Sequence, residues 1–142
     1  MHRLSISVIW TVLNVSLTFF YVQAYADMSD YKPDCNFDRG PCIKIINNAE
    51  VTFDINPKPV KTMEELSFTV NLKGIDPEKL IVSLDMPGMY MGENRVLLKE
   101  SSNGKFTGKG VIPGCSTGGK LWRATIEIPG KGKVHFSFNV QQ

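Results

Sequence analysis

The chain has little histidine: of its 142 residues only His2 and His135 are of this type. A zinc centre built on two or three imidazoles has no donors to draw on. His135 sits between Val134 and Phe136, and strand alternation turns it outward as a solvated side chain. No G-x-S-x-G or comparable setting for a nucleophile occurs, so no catalytic residue is expected. Charge of one sign is also missing, with 16 Lys+Arg against 14 Asp+Glu. That leaves no clustered basic surface for nucleic acid. Beyond residue 26 no segment sustains a 3.6-residue period, so almost no helix is expected. Gly114-Cys115-Ser116-Thr117-Gly118-Gly119-Lys120-Leu121 nearly spells a phosphate-binding loop. It fails because Leu121 stands where a hydroxyl must reach Mg²⁺, and because a strand pattern follows where a helix N-terminus is needed.

Long uncharged runs are confined to the beginning. His2-Arg3 precede residues 4–22, which carry no charge, and Ala24-Tyr25-Ala26 follows. This is the layout of a secretory signal peptide over 1–26. The alternative is an uncleaved N-terminal membrane anchor, since 19 uncharged residues approach a bilayer span. Ser5, Ser7, Thr11, Asn14, Ser16 and Thr18 make it a poor one. On either reading the remainder is exported, and it meets a membrane only through that segment.

Cysteine is scarce too, at three. Cys35 and Cys42 lie in a lead over 27–48, and in an oxidising compartment they are expected to pair. Closing so short a loop contributes roughly 2–3 kcal/mol on the chain-entropy model. A metal or redox pair is the rival reading, with spacing unlike C-x-x-C. Cys115 is left over, either buried and inert or a reactive or ligating thiol.

From 49 to 142 the sequence reads as strands of period two, over 50–56, 65–73, 80–85, 93–100, 105–112, 120–128 and 133–140, each bounded by turn residues. Seven such segments predict an all-β antiparallel sandwich. Between the third and fourth lies Met86-Pro87-Gly88-Met89-Tyr90-Met91. Pro then Gly is the order of a type II turn, which brings the Cα atoms of Met86 and Met89 within roughly 7 Å. An extended exit points Met89 and Met91 to one side. Three thioethers can thus converge, and soft sulfur selects Cu(I); ordinary packing of methionine is the competing account. Asn94 and Arg95 close this loop and are expected to support its backbone. If strands alternate direction, the loops at 57–64, 86–92 and 113–119 share one end of the sandwich. That makes Met63 and Cys115 neighbours of the methionine loop.

Met89-x-Met91-Gly92-x-Asn94-Arg95, then Pro113-x-Cys115 and Trp122-x-Ala124, with the early Cys35…Gly40-Pro41-Cys42 and Pro57-x-Pro59, resembles the YtkA-like family of small exported bacterial proteins. The resemblance covers most of the chain after the leader. It implies an immunoglobulin-like β-sandwich over 49–142, in the periplasm or anchored in the inner membrane facing it. It further implies Cu(I) handling, with a copper-handling or oxidase-assembly protein as partner. Met86, Met89, Met91 and Cys115 are the candidate ligands. The alternative function is a structural or protein-interaction domain of the envelope with no metal.

Overall fold

Period-two alternation becomes eight antiparallel strands within residues 32–142, the part of the chain that the computed structural model describes. The expected signal or anchor segment at 1–26 and the first residues of the lead lie outside the described residues. The strands are β1 (Cys42–Ile46), β2 (Ala49–Asn56), β3 (Glu65–Lys73), β4 (Lys79–Met86), β5 (Met89–Ser102), β6 (Lys105–Val111), β7 (Leu121–Ile128) and β8 (Gly132–Asn139). No helix occurs among the described residues. Alternate residues face inward, as in β3, where Leu66, Phe68, Val70 and Leu72 are buried while their neighbours are not.

The strands form one sheet in the order β1-β2-β3-β6-β5-β4-β7-β8. β5 joins its two halves. Residues 89–99 of β5 pair with β4, whereas 99–102 pair with β6. Where β5 leaves this tip it still runs close over β6. A Cβ on Gly108 would stand 2.4 Å from the Leu97 carbonyl oxygen, and one on Gly110 would stand 2.5 Å from a Val96 methyl. Glycine is needed at both places because nothing larger fits.

The two end strands, β1 and β8, nearly close the sheet into a barrel, and the lead helps to fill the gap. The Asp34 and Cys35 N–H groups both donate to the Ser137 carbonyl at 2.9 Å, and Ser137 N–H donates to the Asp34 carboxylate at 2.8 Å. Lys44 Nζ reaches the His135 carbonyl, and Asn47 Nδ2 the Lys131 carbonyl at 2.6 Å. Phe37, in the turn before β1, is buried in the core. Its ring meets Phe53 and Phe138 edge-on at 5.2 and 5.0 Å, a geometry worth about 0.5–1.5 kcal/mol per pair beyond area burial. The Cys35–Cys42 disulfide brackets that turn, with Cα atoms 5.8 Å apart.

All-β architecture is as expected, but two finer expectations change. A sandwich of about seven strands gives way to eight strands in one barrel-like sheet. Alternation tells which face a residue takes and not which strand it bonds to, so the pairing of β6 with β3 and of β4 with β7 had no signature. The additional strand, β1, shows its isoleucines to solvent: Ile43 and Ile45 are exposed, and Cys42, Lys44 and Ile46 are only half-buried. Together with the Phe37 turn it places residues before 49 in the same sheet and core.

Candidate functional site

The β4–β5 connection is the tight turn that Pro87-Gly88 predicts. Met86 and Met89 are directly paired across it, and Gly88 has φ +80°, the value a type II turn requires at its third position. Just before the turn the register slips between Leu84 and Met86. Asp85 is held there by a two-pronged contact from Arg123, with Nε donating to Oδ1 at 3.0 Å and Nη2 to Oδ2. The hairpin that carries the methionines is therefore fixed to β7.

The loops expected at one end do meet. Met63 N–H donates to the Ile112 carbonyl at 2.9 Å, which ties the 57–64 loop to the one that carries Cys115. In that second loop the Cys115 carbonyl accepts the Gly118 N–H at 3.0 Å. The chain's last residues bind both loops. Gln141 N–H donates to the Val60 carbonyl and its own carbonyl accepts from Thr62. Val140 N–H donates to the Lys120 carbonyl, and the Gln142 side-chain amide donates to the Gly119 carbonyl at 2.9 Å.

Sulfur collects around this knot. Cys115 Sγ lies 3.7 Å from Met89 Sδ and 3.1 Å from the Thr117 hydroxyl. Gly119 is the floor: a Cβ there would stand 3.4 Å from Cys115 Sγ and 3.9 Å from Met86 Sδ. Those two sulfurs are thus within about 7 Å of each other. Met86 and Cys115 are each 7 % exposed, while Met89 is 40 % exposed. Met91 is half-buried and packs against the core. Tyr90, between Met89 and Met91, is 89 % exposed.

The Cys115 thiol is held below its ordinary pKa. The Thr117 hydroxyl is the main cause, followed by the backbone N–H groups of Thr117 and Gly119; burial opposes them, and the Gly118 N–H adds to the lowering. Each donor stabilises the thiolate over the thiol. The loop that resembled a phosphate cradle thus closes on itself, with the Thr117 hydroxyl on the Cys115 sulfur and the Gly118 N–H on the Cys115 carbonyl.

The remaining residues singled out in the sequence take simpler places. Asn94 donates to the Val111 carbonyl at 3.2 Å, a backbone-supporting contact from β5 to the end of β6. Arg95 pairs with Glu93 at 3.3 Å and is exposed. His135 Nδ1 lies 2.9 Å from the Thr125 hydroxyl on the outer face. Among the described residues no three His, Cys, Asp or Glu side chains gather as a metal site would need. The donors that do gather at this end are soft ones, two thioethers and a thiol. Two sulfurs 3.7 Å apart can share one ion at about 2.3 Å from each, the length of a metal–thiolate bond. Thr117, Gly119 and Gln142 shape the site without having been expected to. Only the Gly118-Gly119 doublet, which marks a close approach, hinted at them.

The comparisons with known proteins found no family model, no curated protein and no solved structure that matches the chain.

Proposed function

We propose that the protein is an exported, non-catalytic module that binds Cu(I) and passes it on. Cys115, Met89 and Met86 are its ligands, and Met91 is a further thioether to be tested. The observation that carries this reading is the 3.7 Å approach of Cys115 Sγ to Met89 Sδ. It occurs where the Met86 thioether shares the same glycine floor. A thiolate is the stronger ligand and anchors the ion; thioethers are neutral and exchange readily, which suits transfer. The lowered thiol pKa favours the ligating form. The YtkA-like resemblance supports the same reading. It adds an immunoglobulin-like β-sandwich as the finer description of 49–142, a periplasmic or inner-membrane-anchored location, and a copper-handling or oxidase-assembly partner.

The test is an anaerobic titration of the reduced protein with Cu(I) against a chromophoric chelator. Wild type is expected to retain one equivalent, and the Met89→Leu/Met91→Leu variant to lose it while its circular dichroism is unchanged. A wild type that never competes sinks the proposal. A second reading then stands, favoured by the exposure of Met63 (72 %), Met89 and Tyr90: an adaptable contact surface for another protein of the envelope.

A further inference from the structure

Besides the three sulfurs of the proposed site, a fourth, that of Met63, lies against Gly114, the residue before Cys115. Met63 has φ +61°, the left-handed region that side chains other than Gly, Asn and Asp rarely take. Holding such a residue there costs about 1–2 kcal/mol. The Met63 N–H bond to Ile112 keeps the backbone in place. Packing does not explain a methionine here, since the side chain is 72 % exposed. What it does touch is informative. Its Cγ and Sδ lie 3.5 and 3.9 Å from where a Cβ of Gly114 would be, on the residue before Cys115. The chain thus holds an exposed thioether, on a strained backbone, against the loop of the buried thiol.

We propose that Met63 is the sulfur through which Cu(I) enters and leaves the site; this rests on the Cu(I) reading above. Exposure rises outward, from Met86 and Cys115 at 7 % through Met89 at 40 % to Met63 at 72 %. An ion among the inner sulfurs is out of reach of an acceptor, and one on Met63 is within it. The step is a ligand exchange. The bond from copper to Met63 Sδ forms as the bond to the buried Met86 Sδ breaks, and copper stays Cu(I) throughout. The acceptor's soft donors then replace Cys115, Met89 and Met63 in turn, and where the incoming donor is a thiol its proton passes through solvent to the Cys115 sulfur. The flanking charges, Lys61 and Glu64, pair with each other at 3.7 Å. That pair carries no net charge, which fits an acceptor that presents thiol or thioether groups.

Met63→Leu keeps size and hydrophobicity while removing the sulfur. Equilibrium competition and stopped-flow transfer to a thiol chelator are measured on wild type and variant. The expected result is an affinity within about threefold of wild type and a transfer rate lower by about tenfold or more. An unchanged rate overturns the proposal. So does an affinity that falls tenfold with the rate, because Met63 is then a resting ligand. If the wild type retains no Cu(I), the functional reading itself fails and takes this one with it. A second measurement does not depend on the variant folding: wild type is titrated with Ag(I), a redox-inert analogue, and followed by methionine-methyl NMR. The Met89 methyl is expected to move to a bound position, and the Met63 methyl to broaden as ion is exchanged with a thiol chelator added to the partly loaded protein. A Met63 methyl that neither shifts nor broadens during that exchange overturns the proposal.

Discussion

Gly119→Ala tests the sulfur arrangement directly. Gly119 is not in the left-handed region, so alanine meets no backbone penalty; what it meets is Met86. The new Cβ would stand 2.5 Å from Met86 Cε and 3.4 Å from Cys115 Sγ, where carbon atoms prefer 3.5–4.0 Å. The Met86 methyl must therefore move by about 1 Å or more. It is the far end of a flexible side chain, so the fold can adapt. Overpacking of this kind costs about 1–3 kcal/mol. Loss of glycine's freedom in the unfolded chain returns about 0.4–1 kcal/mol. A net destabilisation of about 1 kcal/mol follows, or about 4–8 °C in Tm for a domain near this size. Cu(I) affinity is expected to fall further, by tenfold or more, because Met86 turns away from the floor that it shares with Cys115. Thermal denaturation and the chelator competition read the two effects separately. If affinity stays within twofold while Tm falls as expected, Met86 packs the end of the barrel and does not ligate. If neither quantity changes, Met86 does not lie over Gly119 as described.

Two further outcomes follow from the geometry. Phe37→Ala should cost about 3–5 kcal/mol in urea denaturation, the range for a buried phenylalanine; a loss under about 1 kcal/mol would mean that the turn before β1 is not part of the core. Thr117→Val removes the hydroxyl that does most to lower the Cys115 pKa, so the thiolate absorbance should appear at higher pH than in wild type. The sign for stability follows from the same shift: the folded pKa lies below the unfolded one, so the thiolate's contribution is full above the unfolded pKa and fades as pH falls through the folded one. A variant whose titration coincides with wild type would remove Thr117 from the account.

Much of this was written in the alternation of large side chains. β2, β3, β7 and β8 bury their large apolar residues on one face, with mostly polar residues on the other, and such segments read as strands without further help. β1 did not, because Ile43 and Ile45 face water and its inward Lys44 serves the seam with Asp34 and the His135 carbonyl. Missing it left the argument about shared loop ends intact, since β1 precedes the first of those loops. Pro87-Gly88 specified its turn locally, through the φ values that each residue favours. The turn residues on either side of β5 marked its hairpins with β4 and β6; that β6 also bonds to β3, and β4 to β7, is a matter of pairing partners, which local sequence does not encode. Nor was it visible that Met91 would pack on the core, or that Gln142 would hold the Gly119 carbonyl. The first depends on where a strand bends, and the second on how the chain's last residues fall across distant loops.

The closure between β1 and β8 also sets an order of events. Its bonds join residues 103, 91 and 84 positions apart, among the most distant in the chain, and contacts of such separation are slow to form. A folding chain therefore passes through a stage in which β8 and β1 are both open edges, with Ile43 and Ile45 turned outward beside one of them. Unpaired edges of this kind recruit strands from other molecules. Residues 140–142 follow β8 and fasten the loops that carry Met63 and Cys115, so the sulfur end is tied to the placement of β8. Crowded refolding should divert material to aggregates at that stage, before the thiol has acquired its hydrogen-bond donors.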